Sequence, residues 1–154
     1  MTATIEDVKR YWNNRPCNVR HSQKDIGTKE YFDEVEKKRY TAEPHIPLFA
    51  DFESYRGKKV LEVGCGMATE GINFARQGAE YTATDLSEES LELAKKRFEV
   101  YNKEGKFYAG NSEKLTSFVP VETYDLIYSF GVIHHSPHPE KIISEIKNYM
   151  NKDS

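Results

Sequence analysis

The sequence predicts an α/β fold, a doubly wound and mostly parallel sheet with helices ahead of its first strand. Three observations predict it. From residue 58 onward, short β-branched apolar runs alternate with stretches of helical period, and such alternation calls for right-handed crossovers between parallel neighbours. A pair of glycines, Gly64 and Gly66, closes the first of those runs in "VLEVGCGMATEG" (60–71). The chain has 154 residues, 38% hydrophobic and 31% charged, a size and mixture that suit one domain burying roughly two-thirds of its unfolded surface.

Taken in order, Ile5, Val8 and Trp12 recur at i, i+3 and i+7 and predict an amphipathic helix over 4–13 that stops near "NNRPCN". After a loop, "TKEYFDEVEKKRY" predicts a second helix, with Thr28 as N-cap and Phe32 and Val35 turned inward. A third, short helix is expected within "EPHIPLFADFESY" before Arg56-Gly57. "KKVLEV" (58–63) reads as the first strand, and Ala68, Ile72 and Ala75 mark the following helix, which Gly78 closes. "EYTAT" is the second strand and runs into Asp85. Ser87 then caps a helix with Glu88 and Glu89 in its first turn and Lys95 to Arg97 near its last. "KFYA" (106–109) and "YDLIYS" (124–129) are the third and fourth strands, and Ile142, Ile143, Ile146, Tyr149 and Met150 form the stripe of a final helix.

Composition narrows the function. The formal charge of −3 gives no electrostatic reason to expect a nucleic-acid partner. The basic runs "KKRY" (37–40) and "AKKR" (94–97) read as solvated helix ends, where cations favour the carbonyl end of the helix dipole. Cys17 and Cys65 lie far apart without metal-ligand spacing, which argues against zinc and for a reducing, cytoplasmic setting. No stretch approaches the roughly 20 apolar residues of a membrane span.

In doubly wound sheets, ligands bind beyond the carboxyl ends of the strands. There the sequence places Glu62 to Gly66, Asp85, Asn111 to Glu113, and Ser129 to His135. The pattern Gly64-x-Gly66-x-x-Thr69 lacks the third glycine of the dinucleotide fingerprint. Glu62 lies two residues before the first glycine, where a pyrophosphate would bring negative charge, so the mouth suits a cation better. Asp85 would serve the ribose diol of either S-adenosylmethionine (SAM) or NAD.

These stretches together resemble the class I SAM-dependent methyltransferases, in the small-molecule branch called type 11. "VLEVGCGMATEG" is similar to the first motif and "TATDLSEESLELAKKRF" to the ribose-binding segment. "GNSEKL" matches the adenine-side motif, and "YDLIYSFGVIHHSPHPEKIISEI" the fourth strand with its loop and helix. The resemblance covers roughly 58–150 and implies a Rossmann-like fold with strand order 3-2-1-4, a SAM-binding core over 58–154 and an N-terminal helical cap over 1–57. It implies that Glu62, Gly64, Cys65 and Gly66 surround the methionine end of SAM, that Asp85 binds the ribose and that Leu86 lies against the adenine. Asn111, Ser112 and Glu113 would form the adenine side, where the family usually has Asp in place of Asn111. An Asn carbonyl can accept the same hydrogen bond. Ser129 and Gly131 would flank the methyl-transfer position, and among the N-terminal aromatics Tyr31 is the first choice for a lid over the cofactor. The implied reaction is methyl transfer to a small-molecule acceptor, leaving S-adenosylhomocysteine (SAH).

Plainer readings stand beside these. The alternative for Glu62 is a strand-end acid in solvent and for Asp85 a turn residue, while Cys65 reads as a small packing residue in a turn that needs small side chains. His134 and His135 are candidates for a base that takes a proton from a hydroxyl acceptor; the alternative is a loop-structuring role, since methyl transfer rests largely on alignment. The family carries seven strands where four are readable here, which leaves the fourth strand as an edge to be covered, by self-association among other ways. A non-catalytic SAM-binding module or fragment and an NAD-dependent oxidoreductase are the alternative functions.

Overall fold

The computed structural model describes residues 4–16 and 18–151; Cys17 lies outside the described residues. A four-stranded, all-parallel sheet has the order β3-β2-β1-β4, with β1 Lys59–Val63, β2 Glu80–Asp85, β3 Lys106–Ala109 and β4 Leu126–Tyr128. Leu61 pairs with Thr82 on one side and Ile127 on the other. This is the sheet the alternating pattern predicts.

The helices are α1 Ile5–Asn14, α2 Lys29–Ala42, α3 His45–Ala50, α4 Thr69–Gln77, α5 Glu88–Val100 and α6 Pro139–Ile146. Their starts follow local chemistry. Thr4 and Asp7 form a reciprocal capping box on α1, and the hydroxyls of Thr28 and Ser87 accept the Tyr31 and Ser90 N–H groups. Gly78, at φ 94°, ends α4 and donates to the Ala75 carbonyl.

Two expected helices are divided. The third breaks at Asp51, which adopts φ 45° and passes the chain to a 3-10 turn over Phe52–Tyr55. The last ends at Ile146 and tightens to a 3-10 turn over Lys147–Tyr149, so its stripe is incomplete: Ile142 and Tyr149 are buried, whereas Ile143 and Met150 are exposed. Met150 instead forms an isolated parallel bridge with Tyr124, just before β4, the edge strand of the described sheet.

The alternation along β1 sorts the core. Val60 packs with Ile72, Phe74, Ala83, Leu91 and Phe98 on one face, and Leu61 and Val63 with Leu115, Val119, Ile142 and Tyr149 on the other. Tyr31, Phe32 and Val35 of α2 close over Met67, joining the N-terminal helices to the glycine turn.

Candidate active site

A cavity of about 980 Å3, counted out to its mouth, opens at the carboxyl ends of β1, β2 and β4. Its floor is the turn after β1. Gly64 sits at φ 80° and an added Cβ would stand 2.2 Å from the Val132 Cγ1, so glycine lets the turn and the loop after β4 touch. The N–H groups of Gly64 and Cys65 both donate to the Thr84 carbonyl, and that of Gly66 to Asp85 Oδ2 at 2.8 Å. Ala68 then enters α4 at φ 53°, a left-handed conformation that only glycine adopts without strain. Cys65 is buried, and burial pushes its thiol well up, away from the thiolate form that a nucleophile needs.

Carboxylates dominate this floor. Glu62 is buried, with Tyr81 donating its hydroxyl to Oε2, and Glu70 is buried in the first turn of α4. Burial first, then the neighbouring Glu70, push the Glu62 carboxyl well above the usual range; the Tyr81 bond and Arg39 pull it down. Burial likewise raises Glu70, against the ion pair from Arg39 Nε at 3.3 Å. Asp85 is raised by burial and lowered by backbone N–H groups, chiefly that of Ser87, which Oδ1 accepts at 2.8 Å. Each Asp85 oxygen thus holds one backbone hydrogen bond and keeps accepting capacity.

The walls come from separate segments. Leu86, Ser90, Asn111 and Ser112 line one side, and Phe130, Gly131, Val132, His135 and Ser136 the other. Asn111 Oδ1 accepts the Glu113 N–H at 2.9 Å, capping the 3-10 turn over Ser112–Ser117. The roof is α1: Ile5, Val8 and Trp12 all face the cavity, and α1 has no buried residue. Lys9 ties it to Glu88 at 2.9 Å, and the Trp12 ring meets His135 edge-on at 5.3 Å. Burial, then His134, lower the His135 pKa.

The structure brings Glu62, Gly64, Cys65, Gly66, Asp85, Leu86, Asn111, Ser112, Gly131 and His135 to this cavity, and sets four expected residues apart from its lining. Tyr31 is fully buried, donating to the Val19 carbonyl at 2.9 Å, so it supports the segment that bears Asn18 and is no lid. Ser129 donates to the Val63 carbonyl at 2.8 Å and Glu113 accepts from Ser136 at 2.6 Å; both brace the wall from behind. His134 stacks obliquely on His135 at 4.0 Å and stays outside. The lysines of the two basic runs are exposed as expected, whereas the arginine in each turns to acceptors inside: Arg39 bonds Glu43 and Glu70, and Arg97 is completely buried.

Residues 54–154 match the family model described as a methyltransferase domain. The chain belongs to that family. It is 33% identical over 103 residues to a ubiquinone biosynthesis O-methyltransferase of Actinobacillus pleuropneumoniae serotype 5b, covering 63% of this chain and 43% of that protein. To the protein of the same name from Photobacterium profundum it is 30% identical over 88 residues, covering 57% and 37%. The chain therefore spans less than half the length of these relatives. Among solved structures, magnesium protoporphyrin IX methyltransferase from Synechocystis PCC 6803 with bound SAM superposes with a TM-score of 0.69 at 20% identity, over 96% of this chain and 72% of that one. The [4+2]-cyclase SpnF does so at 0.67 and 16%, over 98% and 58%. At such identities the likeness is one of fold, and a fold shared by a methyltransferase and a cyclase leaves function to the site.

Proposed function

We propose that this methyltransferase domain binds S-adenosylmethionine and transfers its methyl group to an oxygen of a small-molecule acceptor. The observation that carries the reading is the cavity's sequence of surfaces: carboxylates and a guanidinium over the glycine turn, Asp85 in the middle, and Leu86 with Asn111 beyond. The residues fit the cofactor. Glu62 and Glu70 complement an ammonium group, Arg39 a carboxylate, Asp85 a ribose diol, Leu86 an apolar ring face, and the Asn111 carbonyl an exocyclic amine. A pyrophosphate would meet the same carboxylates as repulsion, which counts against NAD.

When bound, the cofactor supplies an electrophilic methyl group on a sulfonium. The chain's own part is alignment and exclusion of water. Phe130 and Val132 with Trp12 enclose the side toward the loop after β4, where the acceptor is held. His135 takes the acceptor's hydroxyl proton; its lowered pKa keeps the imidazole neutral and basic near neutrality. The name O-methyltransferase borne by the curated relatives supports oxygen as the acceptor atom. No helix among the described residues is long and apolar enough to cross a membrane; a cytoplasmic setting and self-association through the β4 edge complete the reading.

Calorimetric titration with SAH and, separately, NADH tests it. Saturable SAH binding that is lost in Asp85→Ala, with no NADH binding, is expected. A folded chain that binds NADH and not SAH overturns it.

A further inference from the structure

The last residue of the "AKKR" run has no place in the reading above, yet it is a costly one. Arg97 on α5 is 0% exposed, and among the described residues it forms no ion pair. Burial depresses its pKa, and its Nε has no hydrogen-bond partner. A buried cation without a carboxylate contact is poor material for stability alone, since an apolar side chain of similar volume avoids the desolvation.

Its contacts indicate a different use. Nη1 donates to the Met67 carbonyl at 3.2 Å and to Thr69 Oγ1 at 2.5 Å, while Nη2 donates to the Phe32 carbonyl at 3.0 Å. The guanidinium carbon stands 4.7 Å from the centroid of the Phe32 ring. Met67 and Thr69 belong to the glycine turn and the start of α4, and both line the cavity. Phe32 belongs to α2, the helix that also carries Arg39, which lines the same end of the cavity and pairs with Glu70. One rigid, planar fork therefore fixes the turn and α2 to each other, and through them the spacing of Arg39 from Glu62 and Glu70. Ala68, between the two turn residues it holds, sits in the left-handed region at φ 53° with no side-chain cap on α4, a conformation that needs outside support.

We propose that Arg97 is the positioning residue that sets how tightly the cavity holds the amino-acid end of its cofactor. The proposal rests on the SAM reading and deepens it. Arg97 touches neither Asp85 nor the backbone N–H groups of Gly66 and Ser87 that orient it, so the nucleoside end is held independently.

The test compares two ligands by calorimetry on the full chain: SAH, and 5′-methylthioadenosine, which lacks the amino-acid end. Arg97→Lys keeps the charge but loses the fork, and is expected to weaken SAH about tenfold, the order of one or two lost buried hydrogen bonds, while 5′-methylthioadenosine changes little. Thr69→Val, near-isosteric, removes one acceptor; it weakens SAH less, and its effect is not additive with Arg97→Lys. This variant keeps the test available if Arg97→Lys folds poorly. A wild type that binds both ligands, with variants that lose both alike or neither, overturns the proposal and leaves the SAM reading standing. A folded wild type that binds neither ligand removes the SAM reading, and the proposal with it.

Discussion

Gly71 offers a substitution whose sign separates this structure from simple helix propensity. It lies in the first half of α4, and an added Cβ would stand 2.1 Å from the Tyr81 hydroxyl and 2.3 Å from its Cζ. In an open helix Gly→Ala is favourable by about 0.5–1 kcal/mol. Here Tyr81 cannot withdraw easily: it is 3% exposed, stacks on Phe98 at 5.1 Å and gives its hydroxyl to Glu62. Forcing it aside costs about 1–3 kcal/mol in overpacking, and leaving the buried Glu62 without that donor a further ~1–3 kcal/mol. Less the propensity gain, Gly71→Ala destabilises by about 3 kcal/mol, or roughly 6–12 °C in Tm for a domain of this size. Urea denaturation followed by circular dichroism reads the first quantity, and SAH titration of the folded variant reads loss of affinity through the displaced Glu62. A variant as stable as wild type, or more stable, would refute the reasoning.

Further outcomes are expected. Glu62→Gln removes a carboxyl whose folded pKa is raised; such a group contributes stability below its ordinary value of about 4.3 and loses it as pH rises, so the variant gains Tm at pH 8 and not at pH 4, yet binds SAH more weakly. Trp12 is the sole tryptophan and meets His135, so its emission should fall as protonated imidazole quenches it, with a midpoint below about 6.5, and His135→Gln should abolish that step. The same depressed pKa means that the unfolded chain binds more protons, so the contribution of His135 to stability is complete above about 6.5 and declines as pH falls through the folded value; urea titrations of wild type and His135→Gln should converge at acid pH. Gly64→Ala meets Val132 and a φ of 80°; it should weaken SAH, with Val132→Gly in the same chain restoring part of the loss.

Much of the sheet was legible because period and punctuation agree. The β1 run, its glycines and Asp85 lie close in sequence, and a parallel register brings Asp85 to the turn without help from distant residues. The α1 stripe was readable as amphipathic from Ile5, Val8 and Trp12, but only the tertiary structure shows it facing a cavity and not a core. Arg39 and Arg97 were hidden for a physical reason: arginine in the last turn of a helix satisfies the dipole in solvent, and nothing local says that an acceptor on another segment awaits it, the Glu70 carboxylate for Arg39 and the Met67 and Phe32 carbonyls for Arg97. Glu70 had a weak signal, an acid in the first turn after the glycines, which helix-dipole logic also explains. Ser129 and Glu113 lie beside site residues in sequence but bond backward into the wall, and Tyr31 turns its hydroxyl to the Val19 carbonyl, directions that motif spacing does not encode.

The most direct measurement is a crystal structure of the chain grown with SAH. The account predicts the ligand beneath α1, its amino-acid end between Glu62 and Arg39, its ribose on Asp85 and its adenine against Leu86. Density for SAH elsewhere, or an ordered cavity without it at saturating concentration, would contradict the account.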